Sequence, residues 1–282
     1  MSRIVTAPHN QVRHDRFATD RGRAPRAARV VRESLVVLLA ALLYFFVRGL
    51  MDSQTSLAVA NAHDVIALER ALGLFHEPWL QQQVIARDWL VTLLNRIYIF
   101  GHWPVIIGTL TWLVWKHPGM FARYRSALLL SGAIGLVFFV LLPTAPPRLV
   151  PGSGFVDTVT LHSEAYRVLQ PPSFTNPYAA MPSLHVGWNL LMGIAIVRHA
   201  STRWARWFGY LMPPVMWIAT ILTANHYIID GVVGSAVALA GLGIAIWLER
   251  RNAPKRPTQD ASTASIPRSR SIGQGWSHRP AA

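Results

Sequence analysis

Six long apolar runs, separated by short clusters of Arg and Lys, constrain this chain more than any other feature. They cover residues 34–47, 97–115, 126–142, 183–197, 207–224 and 227–248, and the first is extended by Val30, Val31, Gly49 and Leu50. A hydrocarbon layer offers the backbone no hydrogen-bond partners, so segments that cross it must satisfy their own N–H and C=O groups as helices. Crossing takes about 20 residues. The expected fold is therefore all-α: a polytopic membrane protein built as a six-transmembrane-helix bundle. Pro213 and Pro214 are expected to kink the fifth span. Residues 51–88 are mixed. Val65, Leu68 and Leu72 recur at helical spacing beside Glu69 and Arg70, Gly73 supplies a stop, and Glu77, Pro78 and Trp79 open a second piece. These read as extracytoplasmic interfacial helices, either simple packing elements or a cap over a membrane-embedded site.

Charge sets the expected orientation. Only 14% of residues are charged, against about 25% in soluble domains, yet the net charge is +14. Residues 1–32 hold eight arginines and read as a basic disordered cytoplasmic arm; 251–282 read as a second basic tail; 33–250 form the membrane domain. With six spans both termini share one side, and 21 of the 27 Lys and Arg residues fall there, including Lys116, Arg123, Arg125, Arg198, Arg203 and Arg206 in short loops. Basic residues are retained in the cytoplasm. The termini are thus expected inside, at the plasma membrane, with the long loops outside. The basic flanks suit anionic lipid, and a nucleic-acid partner is not expected. Nothing in 1–32 resembles a cleavable signal. There are no cysteines, so disulfides and thiolate metal sites are excluded.

The outer face gathers the residues with chemistry. Arg148 closes the third span, Ser183 and His185 open the fourth, and His226 with Asp230 open the sixth. Ionisable groups at membrane depth cost about 2.5–3.5 kcal/mol on insertion scales, so they serve a function or a partner. His226 and Asp230, four apart, are expected on one helical face, with the carboxylate taking Nδ1–H and leaving Nε2 as a nucleophile. Asn225 can cap that helix. Ser183 and the helix start behind Pro182 suit an anion. His185 is the candidate acid and base, and Arg148 the clamp on the non-bridging oxygens. Each has a plainer alternative: a satisfied helix-end pair for His226–Asp230, an interface anchor for Arg148.

P-T-A-P-P-R (143–148), N-P-Y-A-A-M-P-S-L-H (176–185) and A-N-H-Y-I-I-D (224–230) resemble the motifs of the type-2 phosphatidic acid phosphatase superfamily. Within it they are similar to the branch of inositol phosphorylceramide synthases and sphingomyelin synthases. The resemblance covers roughly residues 30–250. It implies His226 as nucleophile, Asp230 as its partner, His185 as acid and base, and Arg148 and Ser183 on phosphate. Where hydrolytic members carry a Lys and an Arg, this chain has Leu141 and Thr220. His102, Asp157, Arg167 and Tyr178 are candidates to complete the site.

The expected activity is transfer of a phosphoryl or phospho-head group from a phospholipid-type or polyprenyl-phosphate-type substrate to an alcohol or to water, without metal or cofactor. Two other classes compete: a lipid transporter or flippase using the same polar residues, and a haem-binding carrier using His102 and His185. Neither accounts for Arg148, Ser183 and His226 sharing one face.

Overall fold

The computed structural model describes residues 54–162 and 178–252, with a few helical positions between 35 and 46. The terminal arms, most of the first apolar run, Arg167 and Asn176–Pro177 lie outside the described residues. Every regular element described is helical. In chain order these are α1 (Thr55–Ala71), α2 (Glu77–Ile85), α3 (Asp88–Phe100), α4 (Trp103–Lys116), α5 (Pro118–Leu141), a 3₁₀ turn (Pro147–Leu149), α6 (Thr158–His162), α7 (Leu184–His199), α8 (Arg203–Leu222) and α9 (Ile228–Asn252).

α5 and α9 are long and apolar enough to cross a membrane, and α3 with α4 make a third candidate if the bent pair is one span. The chain is an integral membrane protein on that basis. At 16 residues α7 reaches about 24 Å, less than a hydrocarbon core of about 30 Å.

The boundaries differ from the sequence expectation in ways that have local causes. The run 97–115 is two helices meeting at 42°. Pro104 lies in the first turn of α4, where its missing N–H and its ring cannot continue α3. Gly101, at the break, has Ile97 O and Met216 Cε pressed against it, leaving no room for a Cβ. α5 begins eight residues earlier than its apolar run, so Arg123 and Arg125 are helical rather than in a loop. Arg123 Nε donates to Glu249 Oε2 at 2.7 Å, tying the start of α5 to the end of α9. Pro213 and Pro214 lie inside α8, which continues through them to Leu222. The carbonyl of Gly209, whose helical donor Pro213 lacks, packs on Gly193 of α7, where the absence of a side chain lets the backbones approach.

α9 packs chiefly on α5 and α7, and α7 on α8. One core lies among α4, α5, α7 and α9 and contains Leu113, Tyr124, Leu191, Met192 and Ala245. A second lies at the other end. There Ala58, Ala62, Val65 and Ile66 of α1 pack on Ala145, Val150, Met181 and Tyr227. α1 therefore sits directly on the loops that carry the three motifs, as a cap would.

Candidate functional site

Three loops meet beneath α1, and the backbone joins them before any side chain does. Thr144 N–H donates to Tyr178 O at 2.9 Å and Ala180 N–H to Thr144 O at 3.1 Å, forming a parallel bridge between Thr144 and Ala179. Arg148 N–H donates to Ala224 O, and Ser183 N–H to Asp230 O, each at 3.0 Å. Tyr227, fully buried, donates its hydroxyl to Ala145 O at 3.1 Å. α1 adds Ala58 O as acceptor for Ala145 N–H and Asn61 Nδ2 as donor to Pro143 O. The motifs that are far apart in sequence are thus hydrogen-bonded neighbours.

The third loop turns sharply. Ala224 is buried at φ 54°, a left-handed conformation that costs a residue with a Cβ about 1–2 kcal/mol. Asn225 and His226 both donate their N–H to Thr220 O, at 3.0 and 3.2 Å. Asn225 does not cap α9: its amide donates to Thr223 Oγ1 at 2.8 Å. His226 precedes α9, which starts at Ile228, so the expected one-face helical pair is a turn residue facing a first-turn carboxylate. His226 Nδ1 lies 2.8 Å from Ala180 O and 3.4 Å from Asp230 Oδ2. Ala180 O is therefore the main acceptor of Nδ1–H, with Asp230 the longer partner; this leaves Nε2 with its lone pair. Asp230 Oδ2 instead accepts Tyr227 N–H at 2.9 Å. Burial, together with the Arg148 guanidinium, lowers the proton affinity of His226 to about 4 despite the bond to Ala180.

His185, in the first turn of α7, presents its ring to His226 with centroids 5.7 Å apart. Tyr98 stacks on it at 4.6 Å and His102 lies at 4.2 Å. His102 in turn stacks on Trp188, with planes 4° apart. Its Nδ1 lies 3.3 Å from Asn189 Nδ2, which also donates to His185 O at 2.8 Å. Since the Asn189 nitrogen can only donate, His102 Nδ1 accepts and its Nε2 carries the proton. Three histidines thus form a continuous line, His102–His185–His226.

Ser183 is the N-cap of α7, fully buried, with Oγ accepting Val186 N–H at 3.4 Å. Its own hydroxyl proton remains available to an anion. Arg148 sits in the 3₁₀ turn, nearly buried, with Nε 3.7 Å from Asp157 Oδ1. Asp157 also accepts Thr160 N–H at 2.9 Å and so starts α6. Tyr178 pairs its hydroxyl with Thr55 Oγ1 at 2.8 Å, on the cap rather than among the histidines. Leu141 is 75% exposed on the outside of the bundle. Thr220 is buried and bonded within α8, its hydroxyl donating to Trp217 O.

Sequence reading missed Tyr98, Trp188, Asn189 and two carboxyl groups, Glu69 and Glu77. The two glutamates are 0% exposed. Their signal was present: Glu69 continues the buried stripe of Ala62, Val65 and Ile66 on α1.

No curated protein and no solved structure matches this chain. The sequence profile of the PAP2 superfamily does match, over residues 63–244, which takes in all three loops, both facing histidines and the second half of the capping helix. The chain belongs to the PAP2 superfamily, whose members are metal-independent phosphatases and phosphotransferases of lipid phosphates.

Proposed function

We propose that this protein is a lipid phosphotransferase or lipid phosphate phosphatase of the inositol phosphorylceramide synthase-like branch, working through a phosphohistidine on the extracytoplasmic face of a six-span bundle. The observation that carries the reading is the facing of His185 and His226 at 5.7 Å between ring centroids, with Arg148 close enough to depress the proton affinity of His226.

His226 Nε2 attacks phosphorus while the bond from phosphorus to the lipid oxygen breaks. His185 gives its proton to the departing oxygen. An alcohol or water then gives a proton back to His185 as its oxygen attacks phosphorus, and the P–N bond to His226 breaks. Ala180 O and Asp230 hold the Nδ1 proton throughout, orienting the ring and stabilising the positive charge it gains. Arg148, the Ser183 hydroxyl and the first N–H groups of α7 take the non-bridging oxygens. The charge of the bound phosphate draws a proton onto His185. With Leu141 and Thr220 in place of cations, more of that charge falls to Arg148 and the α7 terminus. His102 and Asp157 support His185 and Arg148 in turn.

The orientation reading rests on the basic residues. Lys116, Arg123, Arg198, Arg203 and Arg250 lie towards the helix ends away from His185 and His226, and retention of basic residues in the cytoplasm supports a site outside and cytoplasmic termini. The direct test is trapping of a labelled phosphoenzyme from a lipid phosphate. His226→Ala is expected to abolish both trapping and turnover, and wild-type turnover in that variant would refute the reading. Product analysis with inositol, other alcohols and water as acceptors separates transferase from phosphatase.

A further inference from the structure

The first two N–H donors of α9 are taken by side chains from elsewhere in the chain. Ile229 N–H donates to Glu69 Oε1 at 2.9 Å and Ile228 N–H to Glu77 Oε1 at 3.3 Å. Glu69 belongs to α1 and Glu77 to α2, some 150–160 residues away. Their other oxygens, Glu69 Oε2 and Glu77 Oε2, are buried without a donor, although the two side chains are within hydrogen-bonding reach of each other. Two ionised carboxylates cannot meet this way, since each would present only acceptors. Asp230, also 0% exposed, brings a third carboxyl to the same helix start.

Three buried negative charges around one helix terminus, itself worth only about half a positive charge, would be strongly unfavourable. One proton between the glutamates removes a charge and satisfies both orphaned oxygens. We propose that Glu69 and Glu77 form a carboxylic acid–carboxylate pair, sharing one proton between their Oε2 atoms, that grips the start of α9 and so positions His226 and Asp230. Glu69 is the protonated member: burial first, then its hydrogen bond with Glu77, raises its proton affinity to about 8, against a smaller opposing effect from Ile229 N–H. The other titratable groups around the pair are Asp230 and Tyr227 at the start of α9. His226 and Arg148 lie in the neighbouring loops, and Arg70, on α1, is held over the Phe75 ring. No cation pairs with either glutamate among the described contacts. These are positioning residues, and the effect on catalysis rests on the phosphohistidine reading; the proton itself does not.

The test compares Glu69→Gln, Glu77→Gln and the double Gln variant in the full-length protein. Each single variant keeps one donor between the side chains, because the amide N–H₂ replaces the shared proton, so turnover is expected within about threefold of wild type. The double variant places two amides where one donor too many must face a backbone N–H or another amide. We expect kcat to fall at least about tenfold with KM little changed, and amide exchange at Ile228 and Ile229 to accelerate, while the thermal midpoint reports that the protein is folded. Infrared spectroscopy of the wild type should show a buried protonated carboxyl band that Glu69→Gln removes. Absence of that band, or a double variant as active and as protected as the singles, overturns the proposal. The band and the exchange rates are read without turnover. If they behave as stated while His226→Ala remains active, the phosphohistidine reading fails and the pair stands.

Discussion

The crossing of α7 and α9 offers the sharpest test of how the fold sets the chemistry, through Gly234→Ala. A Cβ at Gly234 would overlap the Ser183 carbonyl, coming 2.8 Å from its carbon and 3.0 Å from Ser183 N. These are backbone atoms and cannot rotate aside. On the opposite side of the contact Gly187 leaves the same lack of space against Gly234 O. Relief requires the helices to separate by on the order of 1 Å, at an overpacking cost of about 1–3 kcal/mol. Alanine's better helix propensity returns only about 1 kcal/mol, so the net change is destabilising. The larger effect is catalytic. Ser183 and His185 lie on one side of this crossing and Asp230 on the other, held by Ser183 N–H to Asp230 O at 3.0 Å. A shift of about 1 Å between them is expected to cost roughly 100-fold in transfer rate. Gly243→Ala is the control. It lies on the same helix with nothing within 4 Å of the added Cβ, so it should gain up to about 1 kcal/mol and keep full activity. Single-turnover phosphoryl transfer and thermal midpoints in detergent give both numbers. Wild-type transfer by Gly234→Ala would refute the claim that this crossing sets the site.

Further expectations concern the site residues. His226, lowered to about 4 by burial and Arg148, should remain neutral well below the ordinary histidine range. The acid limb of phosphoenzyme formation is then expected near pH 4, and a limb near 6.5 would contradict it. Because the folded state binds this proton less readily than the unfolded chain, the group's stabilising contribution is complete above about pH 6.5. It is lost as pH falls towards 4, on the order of 3 kcal/mol in all, measurable as a falling thermal midpoint. Ser183→Ala removes the cap on Val186 N–H, worth about 1 kcal/mol, and should also slow transfer at least about tenfold per folded molecule. A stability loss with unchanged transfer would leave Ser183 as a cap alone. Asp157→Asn keeps the acceptor for Thr160 N–H but removes the charge beside Arg148. Since that pair is partly exposed and 3.7 Å apart, KM is expected to rise less than about fivefold.

Much of this was legible because period and charge are written locally. Gly73 at φ 68° ends the α1 turn, and Glu77 and Pro78 open α2. Ser183, where the fourth apolar run starts, is the cap of α7. His102, found by sequence only as a candidate, stands beside His185. What local pattern could not reveal depends on which distant backbone groups come together. Asn225 looked like the cap of α9, but the Ala224 turn points its amide back to Thr223, and glutamates from α1 and α2 take the donors instead. Asp230 looked like the main partner of His226, but Ala180 O lies closer. The bend at Gly101–His102 was hidden because an apolar run has the same composition whether it is straight or broken.

The parallel bridge between Thr144 and Ala179, with its ties to Ala58, Ala224 and Asp230, also dictates a timetable. Helices of this kind can form one at a time, from contacts within each segment. The site cannot, since Ala145 waits on α1, Arg148 on residue 224, His226 on residue 180, and α9 on Glu69. A growing chain that has placed every helix up to α8 still lacks both His226 and the strut that aligns it. On the phosphohistidine reading, reactivity towards the surrounding lipid is withheld until the last helix docks, and enzymatic activity reports completed assembly rather than insertion.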